Sequence, residues 1–345
     1  MKAVAMTRPL PIDDPEALVE LELDLPEPGP RDLRVRVEAV SVNPVDTKLR
    51  RAPAATGTQA AGAAPAPKVL GYDAAGVVDA VGADVAGFAV GDAVYYAGDV
   101  SRPGSNAQFQ LVDERLVARK PASLDFAQAA ALPLTAITAW ELLFERMPYA
   151  FEGGGDGKTL LVIGGAGGVG SVAIQLAKLA GFSVAATASR EETIAWCREL
   201  GADHVIDHRQ PLAPQLQALG LEAVDAAINL ADTDRYWDEL GALLAPQGHL
   251  GLIVEPAGAL RIGDPYKAKC IGIHWEMMFT RPRLHTPDMD EQGRILARVA
   301  ELVDAGRLRG TLGETLSPIG ADTLREAHRR LESERTIGKL VVAGW

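Results

Sequence analysis

Polar and apolar residues alternate over residues 34–40, where Arg34, Arg36 and Glu38 interleave with Val35, Val37 and Ala39. That is the period of a strand with one buried face. Similar runs over 69–81, punctuated by Gly71 and Gly76, and over 91–96 make the first third β-rich in expectation. Between them, residues 51–67 are biased to Ala, Gly, Pro and Thr without apolar period, the composition of a mobile surface loop. From about Leu124 the pattern changes. The apolar run Thr159–Ile163 is followed, after several glycines, by Val169, Val172, Ala173, Leu176 and Ala180 at helical spacing. Ser183–Thr187 reads as a second strand, with a helix after it that Gly201 can terminate. Strand-like runs recur at 204–206, 226–230, 249–254 and 270–275. Repeated strand–helix units of this kind predict a parallel, doubly wound α/β sheet. A further amphipathic helix carries Ile295, Leu296, Val299, Leu302 and Val303, and the last predicted strand is 339–342.

A chain of 345 residues exceeds one ordinary hydrophobic core, so two domains are expected. A formal net charge of -12 argues against nucleic acid or an anionic membrane as partner, because both require a cationic footprint. No apolar run in the sequence approaches the roughly 20 residues of a membrane-spanning helix, and the first residues lack a signal-peptide pattern, so a cytoplasmic protein is expected. The two cysteines, Cys197 and Cys270, exclude a disulfide framework and a Cys-rich zinc site.

Gly165, Gly167, Gly168, Val169 and Gly170 lie in a G-x-G-x-x-G run set between an apolar strand and a helix, the context in which backbone N–H groups cradle a pyrophosphate. The alternative is a glycine-rich turn with no ligand. At the end of the second strand, where a carboxylate would receive the ribose 2′-hydroxyl, stand Ser189 and Arg190. A hydroxyl and a guanidinium suit a 2′-phosphate, so NADPH is the expected cofactor. Arg190 as a solvated residue of the first helical turn, offset by Glu191 and Glu192, is the competing reading.

The glycine run, the β-rich first third and the ending Gly338-Lys339-Leu340-Val341-Val342 together resemble the medium-chain dehydrogenase/reductase superfamily. The segments 41–47, 71–76 and 167–170 look most like its zinc-free quinone oxidoreductase branch. That resemblance implies a β-rich GroES-like catalytic domain over 1–127 and 279–345 around a Rossmann domain over 128–278, and a homodimer joined through the Rossmann sheets or a dimer of such dimers. Zinc alcohol dehydrogenases of the superfamily carry cysteine, histidine and cysteine where this sequence has Asn43, Tyr72 and, approximately, Leu134. Without thiolate or imidazole there, no metal site is expected.

Loss of a Lewis acid selects substrates that delocalise their own charge, which implies hydride transfer to a quinone or an α,β-unsaturated carbonyl. The motif matches make Asn43, Thr47 and Tyr72 candidates beside the substrate, with Lys48 as a further donor. Asn43 is equally readable as an Asx-turn residue before Pro44, and Thr47 and Tyr72 as cleft-wall residues. The resemblance also places Thr138, His208 and Lys339 beside the cofactor, and Asn229, Ile253 and Val254 at strand ends where the superfamily binds the dinucleotide. Trp275 and Phe279 are candidates for the cleft, the dimer contact or the core. Two other readings stay open: a non-catalytic NADPH-binding redox sensor, and an enzyme acting on simple aldehydes or alcohols. A short-chain reductase is excluded because no Tyr has a Lys four residues on.

Overall fold

The computed structural model describes residues 1–51 and 66–345. The expected loop over 51–67 therefore lies almost wholly outside the described residues, and Arg51 closes a helix. The chain divides into two compact units, Met1–Leu134 with Phe279–Gly306 and Gly310–Trp345, and Thr135–Met278 with Arg307–Arg309. The division falls inside a helix, between Leu134 and Thr135.

The first unit begins with β1 (Lys2–Met6), β2 (Val19–Glu22), β3 (Asp32–Ser41), α1 (Pro44–Arg51), β4 (Lys68–Val69), β5 (Ala74–Val81), β6 (Ala93–Tyr96), β7 (Phe109–Asp113) and β8 (Val117–Arg119). β3 shows the expected alternation: Leu33, Val35, Val37 and Ala39 are buried while Arg34, Arg36 and Glu38 face outward. Burying each of these Leu or Val side chains contributes about 1.5–3 kcal/mol. The long strand can pair with several partners, and it does, with β5 and β7 both antiparallel to it. The predicted strand over 69–81 is in fact two, β4 and β5, separated by the turn that holds Gly71, Tyr72 and Asp73.

α2 (Phe126–Ala130), opened by a capping box between Asp125 and Gln128, and α3 (Pro133–Glu141) follow. With the π-turn Leu142–Arg146 they make one helical stretch, Phe126–Arg146, whose length and mean hydropathy of 1.2 would allow a membrane crossing. The sequence reading missed it because Glu141, Glu145 and Arg146 interrupt its end. Since 78% of its apolar window is buried inside the protein, the stretch is a core element.

The second unit contains β9 (Thr159–Ile163), α4 (Gly168–Leu179), β10 (Ser183–Thr187), α5 (Glu191–Glu199), β11 (His204–Ile206), α6 (Leu212–Ala218), β12 (Val224–Asn229), α7 (Thr233–Leu243), β13 (Leu244–Leu252) and β14 (Gly272–Trp275). Its sheet is wholly parallel, in the order β11-β10-β9-β12-β13-β14. This is the doubly wound Rossmann order, in which the strand sequence reverses between β9 and β12 and ligands bind beyond the carboxyl ends of the strands. β9 and β12 are covered on both faces, which is why they read as continuous apolar runs.

The chain returns to the first unit through α8 (Thr280–Leu284), α9 (Glu291–Asp304), β15 (Leu312–Leu316), α10 (Ala321–Glu332) and β16 (Lys339–Ala343). There β16 pairs with β3, joining residues about three hundred apart in sequence and completing the sheet β15-β16-β3-β5-β6-β8.

Candidate functional site

The glycine turn joins the carboxyl end of β9 to the start of α4. Gly164 N–H donates to Thr187 Oγ1 at 2.9 Å and Gly165 N–H to Thr187 O at 3.1 Å, so the turn is pinned to the end of β10. Two of its glycines are demanded by the protein's own packing. A Cβ on Gly165 would lie 2.9 Å from Ala186 Cβ and 3.0 Å from Cys197 Sγ, and one on Gly170 would lie 2.3 Å from Gly164 O. Gly167 differs. Its backbone is extended, with φ -74° and ψ 173°, and a Cβ there would meet only Gly164 O, at 3.4 Å. No contact within the protein requires glycine at 167, whereas a pyrophosphate approaching the backbone would. The first N–H groups of α4 have no acceptors within their own helix, and its N-terminus favours an anion.

At the ends of β10 and β11, three guanidinium groups gather. Arg190 caps α5, its backbone bonded in both directions to the Thr193 hydroxyl, with its side chain 3.3 Å from Glu192. Arg209 reaches Ser189 O at 2.7 Å and pairs with Asp207, which its hydrogen bonds hold at about pKa 2. Arg235 donates to His208 O at 2.6 Å. Burial lowers the pKa of His208, Asp207 opposes this, and Arg235, Arg209 and Arg190 lower it further, so the imidazole is neutral at pH 7. Arg209 and Arg235 were missed from sequence. Arg209 was legible as the third residue beyond a predicted strand, but nothing along the chain linked Arg235 to it.

The strand-end candidates separate. Ile253 and Val254 follow the carboxyl end of β13 and are partly exposed, and Val254 O accepts from Thr233 Oγ1. Asn229 is fully buried, its Nδ2 on Asp232 O at 2.8 Å and its Oδ1 on Ala231 N–H at 3.2 Å. At this strand end, where the superfamily binds the dinucleotide, its side-chain amide is bonded within the turn after β12. Thr138 is buried in α3, one turn before Glu141. Beyond it, Glu141 and Glu276, both fully buried at the side chain, flank Arg146 at 2.9 and 2.8 Å. Burial, and then the neighbouring Glu141, push the Glu276 carboxyl far above the ordinary glutamate range.

In the first unit the expected substrate-side residues form a buried polar cluster. Lys339 Nζ donates to Asp73 Oδ2 at 2.9 Å, to Val42 O at 3.1 Å and to Asn43 Oδ1. Asn43 Nδ2 donates in turn to Asp73 Oδ2 at 2.8 Å, while Asp73 Oδ1 accepts the Leu134 N–H at 2.7 Å. Burial pushes the Asp73 carboxyl up, and the ammonium pulls it back. Three donors on two oxygens are the pattern of an ionised carboxylate. Two expectations are corrected here. Lys339, 4% exposed, has its ammonium occupied inside the unit instead of extended to a cofactor, and the Asn43 amide links Lys339 and Asp73 instead of facing a substrate. Both follow from the cost of a buried charge, which must be matched by partners.

Asp46 accepts Asn43 N–H at 2.8 Å and Gly71 N–H at 3.0 Å, tying the start of α1 to the Gly71 turn; burial raises its pKa to about 7. Thr47 Oγ1 donates to Pro44 O at 3.0 Å, so its proton is held within α1, which corrects its assignment as a donor; Lys48 is exposed. Tyr72 stands apart. It is fully buried, fixed edge-on against Phe279 at 5.4 Å, and its hydroxyl has no hydrogen-bond partner among the described residues. Burial, with Asp46 and Asp99 nearby, pushes its pKa up, so the phenol stays protonated. Phe279 is thus a core residue, whereas Trp275, at the end of edge strand β14, is 48% exposed.

Zinc does not fit these residues. The Asn43 oxygen is taken by Lys339, Leu134 offers only a backbone N–H, and the cation in this cluster is the ammonium of the chain itself. Among the described residues, no group of three or more His, Cys, Asp or Glu side chains is placed to hold a metal ion.

Comparison with known proteins matches residues 29–122 to the alcohol dehydrogenase GroES-like domain and residues 200–342 to the zinc-binding dehydrogenase model. A crystal structure from Rhizobium etli, of a protein named only as a candidate zinc-dependent alcohol dehydrogenase, is 50% identical, with a TM-score of 0.91 over 100% of this chain and 98% of that one. A zinc-type alcohol dehydrogenase-like protein of Staphylococcus epidermidis is 39% identical over 99% of each chain. The chloroplastic NADPH-dependent alkenal/one oxidoreductase of Arabidopsis thaliana is 42% identical over 72% of this chain and 65% of its own.

Proposed function

The chain belongs to the medium-chain dehydrogenase/reductase superfamily and is an oxidoreductase of that family, and from that premise we propose that it reduces quinones or α,β-unsaturated carbonyls with NADPH and without metal. The observation that carries this reading is the unpartnered, buried, protonated hydroxyl of Tyr72 in a unit where the Asn43 amide, the Thr47 hydroxyl and the Lys339 ammonium are already bonded. A bound reduced nicotinamide supplies a hydride to an electrophilic carbon. The chain's residues then do three things. The Gly165–Gly170 turn and the start of α4 hold the pyrophosphate through backbone N–H groups. Arg190, Arg209 and the Ser189 region receive the 2′-phosphate, with charge-assisted hydrogen bonds that NADH cannot make. Tyr72 donates a hydrogen bond to the substrate oxygen as negative charge develops on it, and water protonates the product.

A conjugated acceptor spreads that charge over oxygen and carbon, so one neutral donor suffices where an isolated carbonyl needs a Lewis acid. The name of the Arabidopsis relative supports this substrate class. The names of the R. etli and S. epidermidis proteins favour alcohols, a second reading that demands a metal site. Steady-state kinetics with quinones, enones, aldehydes and alcohols, using both cofactors on protein assayed for metal, separates the two. Turnover of quinones or enones with NADPH after chelation is the expected outcome; alcohol oxidation proportional to bound zinc overturns it. We further propose a homodimer through β14, supported by the exposure of Trp275 and Met277 at that sheet edge. Light scattering of the purified chain at monomer mass would refute it.

A further inference from the structure

On adjacent strands of its sheet, the second unit holds two imidazoles side by side. His249 on β13 and His274 on β14 place Nδ1 and Nε2 3.0 Å apart, with ring centroids separated by 5.1 Å. The arrangement is built into the sheet. His249 pairs in register with Gly272, and a Cβ on Gly272 would lie 2.7 Å from His249 Nδ1 and 2.8 Å from His274 Nε2, so glycine makes the space that both rings occupy. Tyr149 packs edge-on against the other side of His249, at 5.6 Å between centroids. The Arg146 carbonyl accepts from the His274 ring; since Nε2 faces His249, the donor is Nδ1, and the Nε2 lone pair accepts a hydrogen bond from His249 Nδ1, whose proton a metal ion bound to both nitrogens would displace to solvent or to His249 Nε2. A backbone carbonyl fixing one ring nitrogen so that the other can ligate is the usual outer-shell arrangement of a metal-binding histidine.

We propose that His249 Nδ1 and His274 Nε2 form a two-imidazole chelate for a divalent transition-metal ion of the Cu(II) or Ni(II) type, with water in the remaining positions. Imidazole nitrogens about 2.0–2.1 Å from a metal lie about 2.9 Å apart when they bind at a right angle and about 3.4 Å apart in a tetrahedron. The observed 3.0 Å matches the first, the cis arrangement of tetragonal Cu(II) and Ni(II) with nitrogen ligands. Binding would require each ring to rotate until its lone pair turns from the facing nitrogen to a shared point. His249 also lines a cavity of 270 Å³, with Tyr149, Lys158, Asp225 and Gln247, where β9, β12 and β13 begin. His274 is not among the cavity's lining residues, so the cavity opens on the His249 side of the pair alone. This site shares no residue with the glycine turn or the Tyr72 cluster and does not depend on the reaction proposed above.

The test is Cu(II) titration of the full chain carrying Cys270→Ser, because Cys270 is an exposed thiol that competes for the ion. Calorimetry should give one Cu(II) per chain, and electron paramagnetic resonance should count two equatorial nitrogens. His249→Gln and His274→Gln should each weaken binding by at least the roughly 10–100-fold that loss of an outer-shell partner costs. Gly272→Ala, which keeps both ligands but crowds the rings, should weaken it as well. A one-nitrogen spectrum on the Cys270→Ser chain, or binding unchanged in either histidine variant, overturns the proposal; the spectrum needs no histidine variant to fold.

Discussion

In the first unit, Lys339, Asp73 and Asn43 are buried and bonded to one another, while the hydroxyl of Tyr72, next in sequence to Asp73, lacks a partner among the described residues. In the second, the turn at Gly165–Gly170 opens a helix whose first N–H groups its own backbone cannot satisfy, with Arg209 62% exposed nearby. Asn43, which the resemblance set against a zinc ligand of the superfamily, here bridges the internal ion pair of Lys339 and Asp73. Polar residues at a candidate site are thus of two kinds, those that complete the architecture and those left for a ligand, and only their partners tell them apart.

Several substitutions would break or sharpen this contrast. Lys339→Met removes the cation of the buried pair and should cost about 3–5 kcal/mol in chemical denaturation; a loss under about 1 kcal/mol would mean that the cluster is not architectural. Tyr72→Phe keeps the ring against Phe279 and removes only the free hydroxyl. By analogy with loss of one oxyanion donor, kcat should fall about 10²–10³-fold while melting temperature and NADPH affinity hold. Unchanged kcat would sink the donor role.

Arg209→Ala should weaken NADPH by about 1.5–3 kcal/mol, the range of a hydrogen bond to a charged group, and leave NADH alone. Equal losses for both cofactors would place the 2′-phosphate elsewhere. Gly167→Ala should leave unfolding free energy within about 0.5 kcal/mol and still weaken either cofactor roughly tenfold. Gly170→Ala, by contrast, should destabilise the fold by about 1–3 kcal/mol through overpacking. If the two behave alike, the distinction between packing glycine and ligand glycine fails.

The smallest effect concerns slope. Asp46 has its pKa raised from 3.8 to about 7 by burial, so between those values the folded chain holds a proton that the unfolded chain has released. Its contribution therefore makes stability fall as pH rises through that window. Asp46→Asn removes this contribution and should flatten the decline measured by denaturation between pH 4 and 7, at the cost of one of two backbone hydrogen bonds.

The amino-acid sequence alone determined the repeated strand–helix grammar of the second unit and the place of its glycine turn. Both are local: Thr159–Ile163 declares a buried parallel strand by apolar continuity, and Gly165, Gly167 and Gly170 declare a close approach by lacking side chains. Ser189 and Arg190 were legible for the same reason, as neighbours of a strand end. The first unit yielded less, because β16 must return across the sequence to reach β3 before Lys339 can meet Asn43 and Asp73. Along the chain Asn43, Thr47 and Asn229 were open to a ligand role or a structural one and Lys339 to a ligand role, and all four are engaged within the protein. Only tertiary structure decided which polar groups were matched, since the desolvation of a charge or an amide depends on what folding brings against it, and no periodicity encodes that. The same holds for His249 and His274, twenty-five residues apart and brought within 3.0 Å by the register of two parallel strands.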